Sequence, residues 1–388
     1  GAAIVNAINN NVEKMNSNTN TQVSIIALCL FFLTSCTEKE KPFYPPDIEQ
    51  KTYGLKAQKY TYDTLISPYK PFIVQDYLFI TQDTKVDFDE PMIHIFDKTT
   101  LKRTGSIGKN GMGPNEMLFA SLLDYDASDS SVIVFDSRKK RLFEFDINPI
   151  SENSLLAKNE IRLPTDMNDA YKLYKASDST YLAVSTQKEY IFNEYDINGE
   201  WIRGYGKWPG IPNEKLLSSF TGIERNYLLS QINAGYLKKE IGGDWYGYVM
   251  GFRGGVELFN YRTKEYKSIE GPEIIDEIQP FKIAGSGNGL GGAYDFWEAI
   301  STYRDLTFQP KHIYTLYAGV SQTEVNNTGQ FAKKVFVFSY DGELVGQFNL
   351  DKSLRSFEVD EELGRIYGIT IDENPGIAVF DIPKELLQ

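Results

Sequence analysis

Along most of the chain, short apolar stretches alternate with turn-forming residues, which is the pattern of strands rather than helices. Residues 59–66, 72–81 and 92–96 read as strands, with a turn at Asp76-Tyr77 inside the second. Between 122 and 147 the order is turn, strand, turn, strand, a meander in miniature. The same pattern returns at 172–206, 247–269, 312–350 and 364–383. Helical periodicity is scarce, and single turns are expected only at 213–219 and 274–278.

The strands fall into a repeat. An aromatic strand followed by Asp or Asn recurs at Asp97, Asp146, Asp196, Asn260, Asp341 and Asp381, in steps of 49, 50, 64, 81 and 40 residues. Residues 93–116 are echoed at 192–214, and both stretches pass through Gly-Lys to end in Pro-Asn-Glu. A four-stranded meander cannot bury both of its faces alone, whereas six set radially cover one another, so the expected fold is an all-β, six-bladed β-propeller. The strand at 59–66 has no preceding partner, and the chain ends on a strand shaped like the third of a blade. Pairing the N-terminal strand with the C-terminal blade would close the ring and remove open edges. The Asp or Asn after each third strand is expected to open a tight turn by accepting from nearby backbone N–H groups.

Composition narrows the function. The chain has 388 residues, of which 41% are hydrophobic and 14% aromatic, and it carries a net charge of −13. Such a chain can fill a large core. With no basic excess to neutralise phosphates, a nucleic-acid role is not expected. The two cysteines, Cys29 and Cys36, both precede the body, so no disulfide framework is expected within it. Two histidines, His94 and His312, are too few for a histidine-based metal centre or a neutral-pH general-base site.

The apolar run at 23–33 is too short to span a bilayer and fits the core of a secretory signal peptide. Leu33-Thr34-Ser35-Cys36 follows at once and resembles the lipobox of bacterial lipoproteins, which implies lipidation at Cys36. The expected division is 1–35 as signal region, with a start at Met15, 36–52 as a lipidated flexible tether rich in charge and proline, and 53–388 as propeller. The membrane is then reached through the lipid only. A residue other than Asp after Cys36 implies, by the same resemblance, the outer membrane, on its periplasmic or surface side.

The stretch from Phe96-Asp97 through Gly108-Lys109 to Gly113-Pro114-Asn115-Glu116, together with residues 311–319, looks like the TolB-like six-bladed propeller lipoproteins of Gram-negative envelopes. That resemblance implies an envelope-anchored propeller without established chemistry. Propellers bind at the channel mouth, so the expected function is a non-enzymatic binding or interaction module for a protein, peptide or glycan. The alternatives are a carbohydrate- or lactone-directed hydrolase or lyase using channel carboxylates or Ca²⁺, and a structural subunit of an outer-membrane complex. The loop at 108–116 reads as a blade connector, with an anion-cupping role as its alternative. Binding candidates lie where the repeat lengthens: Trp245 and Arg253 in one stretch, and Tyr294, Trp297 and Arg304 after the glycine-dense loop at 285–292, each with packing between blades as its alternative. No catalytic residue, metal ligand or cofactor is assigned. The acidic clusters at 87–90 and 124–129 lack the loop pattern of an EF-hand and read as turns.

Overall fold

The structure is a computed structural model, and it describes residues 47–387 apart from 84, 148–154, 212, 274 and 276–278. The signal region, Cys36 and most of the turn expected at 274–278 lie outside the described residues. Strand burial follows position in the sheet. Ser131–Asp136 is buried along its whole length, and Thr180–Ser185 along all but its first residue. The outer strands Asn159–Arg162 and Trp201–Lys207 have no buried position. A strand covered on both faces needs apolar side chains on both, which is why the middle strands read as unbroken apolar runs.

Residues 68–109, 120–162, 170–207 and 235–270 form four antiparallel four-stranded meanders, blades one to four. Blades five and six share a strand. Leu344–Asp360 pairs through its first half with Ala332–Phe338 and through its second half with Arg365–Thr370. The outer strand of blade five therefore runs directly into the inner strand of blade six. The fourth strand of blade six comes from the N-terminal side, where Gln58–Tyr60 lies antiparallel to Ile377–Asp381. Closure is thus as expected, although the closing strand is only three residues long. The folded body starts before residue 53: Ile48–Lys51 is a 3-10 turn whose Ile48 is buried, and Thr52–Leu55 runs parallel to the strand Leu344–Asp360.

Core side chains lie between blades. Leu78, Ile80 and Phe96 of blade one pack on Tyr367, Ile369 and Ile377 of blade six, so the first and last blades share a core like any other neighbours. Tyr367 also donates its hydroxyl to the Lys98 carbonyl at 2.8 Å. Burying one such Leu, Ile or Phe is worth about 1.5–3 kcal/mol, and the same kind of cluster recurs around the ring.

Three of the six third-strand residues act as expected, whereas Asp146, Asp341 and Asp381 pair with Lys158, Lys267 and Arg365. Asp97 accepts from the backbone N–H groups of Thr99 and Thr100, Asp196 from Asn198 and Glu200, and Asn260 from Arg262 and Thr263. The echoed stretches are crossings between blades, and both need glycine. Gly108 and Gly206 have left-handed φ values of 76° and 61°. In the first crossing Glu116 accepts from Gly113 N–H at 2.7 Å and pairs with Lys109 at 2.8 Å, so it holds its own loop.

The long steps are two insertions. The first carries a 3-10 turn, Glu214–Leu217, and a helix, α1, Gly222–Ile232; the second carries a hairpin, Phe281–Ala284 and Gly291–Tyr294. α1 was not expected. Ile211, Leu217, Leu228, Ile232 and Leu290 form one small core joining both insertions. Both follow the last strand of one blade and precede the inner strand of the next, so both lie on the face where inner strands begin.

Candidate functional site

The six inner strands are Pro68–Val74, Ala120–Asp126, Ala170–Ser177, Gly235–Lys239, Ile300–Phe308 and the second half of Leu344–Asp360. Five of them break register near their first residues: between Pro68 and Pro71, Ala120 and Leu122, Ala170 and Lys172, Ser301 and Asp305, and Leu354 and Ser356. Such a bulge adds a residue and re-aims side chains that would otherwise alternate. In blade three the Lys172 ammonium stands 4.0 Å from the ring centre of its own neighbour, Tyr171, so two consecutive side chains share one side.

Cations and aromatic rings therefore gather where the inner strands begin, which we call the mouth. Lys70 of blade one reaches to 5.5 Å from the Tyr236 ring centre of blade four, the opposite blade, and to 5.7 Å from that of Tyr69. Arg304 of blade five lies over the same Tyr236 ring at 5.0 Å, and over Phe331 at 5.1 Å. Arg355 of blade six lies over Tyr69 at 5.8 Å and pairs with Asp83 at 3.4 Å. Tyr69 in turn meets Phe119 of blade two at 5.4 Å. Tyr69, Tyr171, Lys172, Tyr236, Arg304 and Arg355 all keep part of their surface exposed.

Deeper along the strands the channel is closed by charge pairs. Lys238 meets Glu358 at 2.6 Å with both side chains 4% exposed or less, and Lys239 meets Asp124 at 2.5 Å. Lys238 also sits 4.1 Å over Phe72, and Thr307 donates to the other Glu358 oxygen. These contacts tie blade four to blades one, two and six across the axis and form a floor. Beneath it a cavity of 270 Å³ opens on the opposite face, lined in part by Lys98, Lys238, Glu358 and Asp360.

Burial sets the protonation tendencies. It pushes the Glu358 carboxyl up, against the pull of Lys238, and the Asp124 carboxyl up, against Lys239. Burial also lowers Lys70, with Lys238 and Arg304 adding to the effect and Asp305 opposing it. Lys172 is brought down to about 7 by burial and by the charge of Lys70.

Of the five expected binding residues, Arg304 stands in the mouth. Trp245 packs against Tyr340 at 5.5 Å and lines the cleft that also contains Pro310, beside the turn that leaves the inner strand of blade four. Arg253 is a latch: its Nη1 donates to the Gly210 carbonyl at 2.9 Å and to Asn233 Oδ1 at 3.0 Å, beside a 230 Å³ hollow. Tyr294 stacks on Phe252 at 4.5 Å and donates to the Ile232 carbonyl at 2.7 Å, joining hairpin to helix. Trp297 is 52% exposed, next to Phe296, on the second insertion. The mouth residues missed from sequence had a signal. Tyr-Lys or Tyr-Arg occurs on first strands at 69–70, 171–172, 174–175 and 303–304, but also at 261–262 and 266–267 outside them, so the signal is not selective.

Other candidate chemistry is accounted for locally. His94 is buried, and its pKa is held down to about 4, first by burial and then by Arg103. Gln82 Nε2, which also donates to the Pro91 carbonyl, lies 3.0 Å from His94 Nε2, and Ser106 Oγ lies 2.9 Å from Nδ1. Gln82 Oε1 accepts from Ile66 and Ser67 N–H, which fixes the amide, so the ring proton is on Nδ1 and points at the serine. The histidine is thus no base for Ser106. In the acidic stretches, Asp89 pairs with Lys109, Asp129 with Lys158, and Asp126 caps Ser128. Among the described residues no three His, Cys, Asp or Glu side chains are placed to share a metal ion.

With this architecture in view, the comparisons agree on class. The profile of the family described as TolB-like 6-blade propeller-like matches residues 48–362, and the chain belongs to that family. No curated protein matches it. Among solved structures, a protein described as exported, from Bacteroides fragilis, has 12% identity and a TM-score of 0.51 over 85% of this chain and 98% of its own. A member of the DUF4221 family from Bacteroides vulgatus has 11% identity and a TM-score of 0.49 over 84% and 98%. These likenesses are to the fold.

Proposed function

We propose that this propeller is a non-enzymatic binding module of the cell envelope, tethered through a lipid on Cys36 and holding its ligand at the channel mouth. The observation that carries the reading is the shape of the channel. Its upper part is lined by partly exposed cationic and aromatic side chains from several blades, and ion pairs close it below. A lining of that kind, with ion pairs across the axis beneath it, suits capture rather than passage. The channel carboxylates Asp124 and Glu358 are each held by a lysine, which favours binding over an acid–base reaction at those groups. The apolar run, the Leu-Thr-Ser-Cys sequence and the likeness to a protein described as exported support the envelope location, and the outer membrane follows from the resemblance.

A glycan and peptide array probed with the protein tests the binding role. A signal that disappears in Tyr236→Ala is expected, and a flat array counts against it. For the anchor, Cys36→Ala is expected to move the protein from the membrane fraction to the soluble fraction. Persistence on the membrane would sink the lipid tether.

A further inference from the structure

We infer that the ligand held at the mouth is anionic, its carboxylate, sulfate or phosphate groups meeting Lys70, Lys172 and Arg304. This rests on the reading of the mouth as the binding site. Many lysines of the body find carboxylates, as Lys59 with Asp372, Lys98 with Asp360, Lys109 with Asp89 and Glu116, and Lys158 with Asp129 and Asp146, and the part-buried Lys139 and Lys140 find backbone carbonyls. Among the described residues, the side-chain nitrogens of Lys70, Lys172 and Arg304 have neither an ion pair nor a hydrogen bond. Arg304 Nε is buried without a partner. Lys70 is only 6% exposed, and its described ammonium contacts are with aromatic rings. An unpaired buried charge is costly, and the cost is relieved when a counter-charge arrives.

These cations and Arg355 also form a group. Lys70 and Arg304 share the Tyr236 ring, Lys70 and Arg355 share the Tyr69 ring, and Lys172 is close enough to Lys70 to be depressed by it. Two carboxylates lie nearby. Asp83 is engaged by Arg355, and Asp305, itself buried, accepts from the N–H groups of Leu306 and Phe357. With both lysines protonated, four cations facing two carboxylates leave a positive excess in a chain whose net charge is −13. The rings have cations over them, so their role here is to hold the charges in place by cation–π attraction. Charges fixed before the ligand arrives need little reorganisation to bind an anion.

Calorimetric titration of the full chain tests this with four probes: a trigalacturonate for carboxylates, a sulfated disaccharide, inorganic pyrophosphate, and the uncharged galactotriose as control. At least one anion is expected to bind, with affinity about tenfold weaker in Lys70→Met, Lys172→Met and Arg304→Met, and the probe that responds identifies the source of the anion. Melting temperatures of the two lysine variants are expected to stay level or rise, and Lys70→Arg is expected to retain binding. Failure of all three anions to bind, or binding unchanged in the variants, overturns the inference. Galactotriose binding alone, lost in Tyr236→Ala, would uphold the mouth as a site and reject its anionic ligand.

Discussion

Lys238 has a carboxylate at 2.6 Å, and Lys70, nearer the mouth of the same channel, has none among the described residues. The contrast leads to opposite outcomes on substitution. Lys238→Met strands Glu358 in the floor and is expected to cost about 3–5 kcal/mol in chemical denaturation, with much of the loss recovered by adding Glu358→Leu. Lys172 gives a pH signature. Its pKa falls from 10.5 in the ordinary state to about 7 in the fold. Between those values the unfolded chain binds the proton and the folded chain does not, so this residue's contribution to stability rises with pH across that window. Below about 7 the full penalty of the buried charge remains. Melting curves from pH 6 to 9 are expected to show a smaller rise for Lys172→Met than for the parent chain, and equal slopes would contradict the assignment. Anion binding should run the other way, weakening as pH climbs past about 7 and the ammonium is lost.

At the scale of elements, the insertions and crossings divide structural work from binding work. Arg253 and Tyr294 hold the helix and the hairpin onto the rim through backbone carbonyls. Tyr294→Phe is expected to cost about 1 kcal/mol, read as a shift of the denaturation midpoint, and to leave mouth binding unchanged. Gly108→Ala combines a left-handed φ with a Cβ 2.8 Å from Met117 Sδ, and about 1–3 kcal/mol is expected from the backbone alone. These elements also show what the sequence could carry. Asp97, Asp196 and Asn260 were legible because each acts on backbone a few positions away. α1 was missed because its apolar residues face a hairpin some sixty positions on, and its own pattern is weakly amphipathic. Most residues of the mouth were not named from the sequence for a related reason. Bulges place consecutive residues on one side, and strict alternation cannot foresee that. Arg304 was found through its neighbours, whereas Lys70 and Lys172 needed the ring to bring opposite blades together.

For the whole molecule, the ring is held by cores between blades, and its seam depends on a three-residue strand. The cluster between blades one and six must therefore carry much of the closure. Leu78→Ala, in that cluster, is expected to cost about 2–5 kcal/mol. Removing residues before 62 would bare the edge of Ile377–Asp381 and should promote association, visible in light scattering. The six-fold repeat was readable because its period survives both insertions, and closure followed from the need to leave no open edge. The proposed ligand site was less readable because its cations and the Tyr236 ring converge from five blades. Its central claim, an anion site at the mouth, can be examined without knowing the natural ligand. A crystal soaked in bromide should show anomalous density beside Lys70 and Arg304. Bromide ordered on the outer surface with the mouth empty would contradict the account.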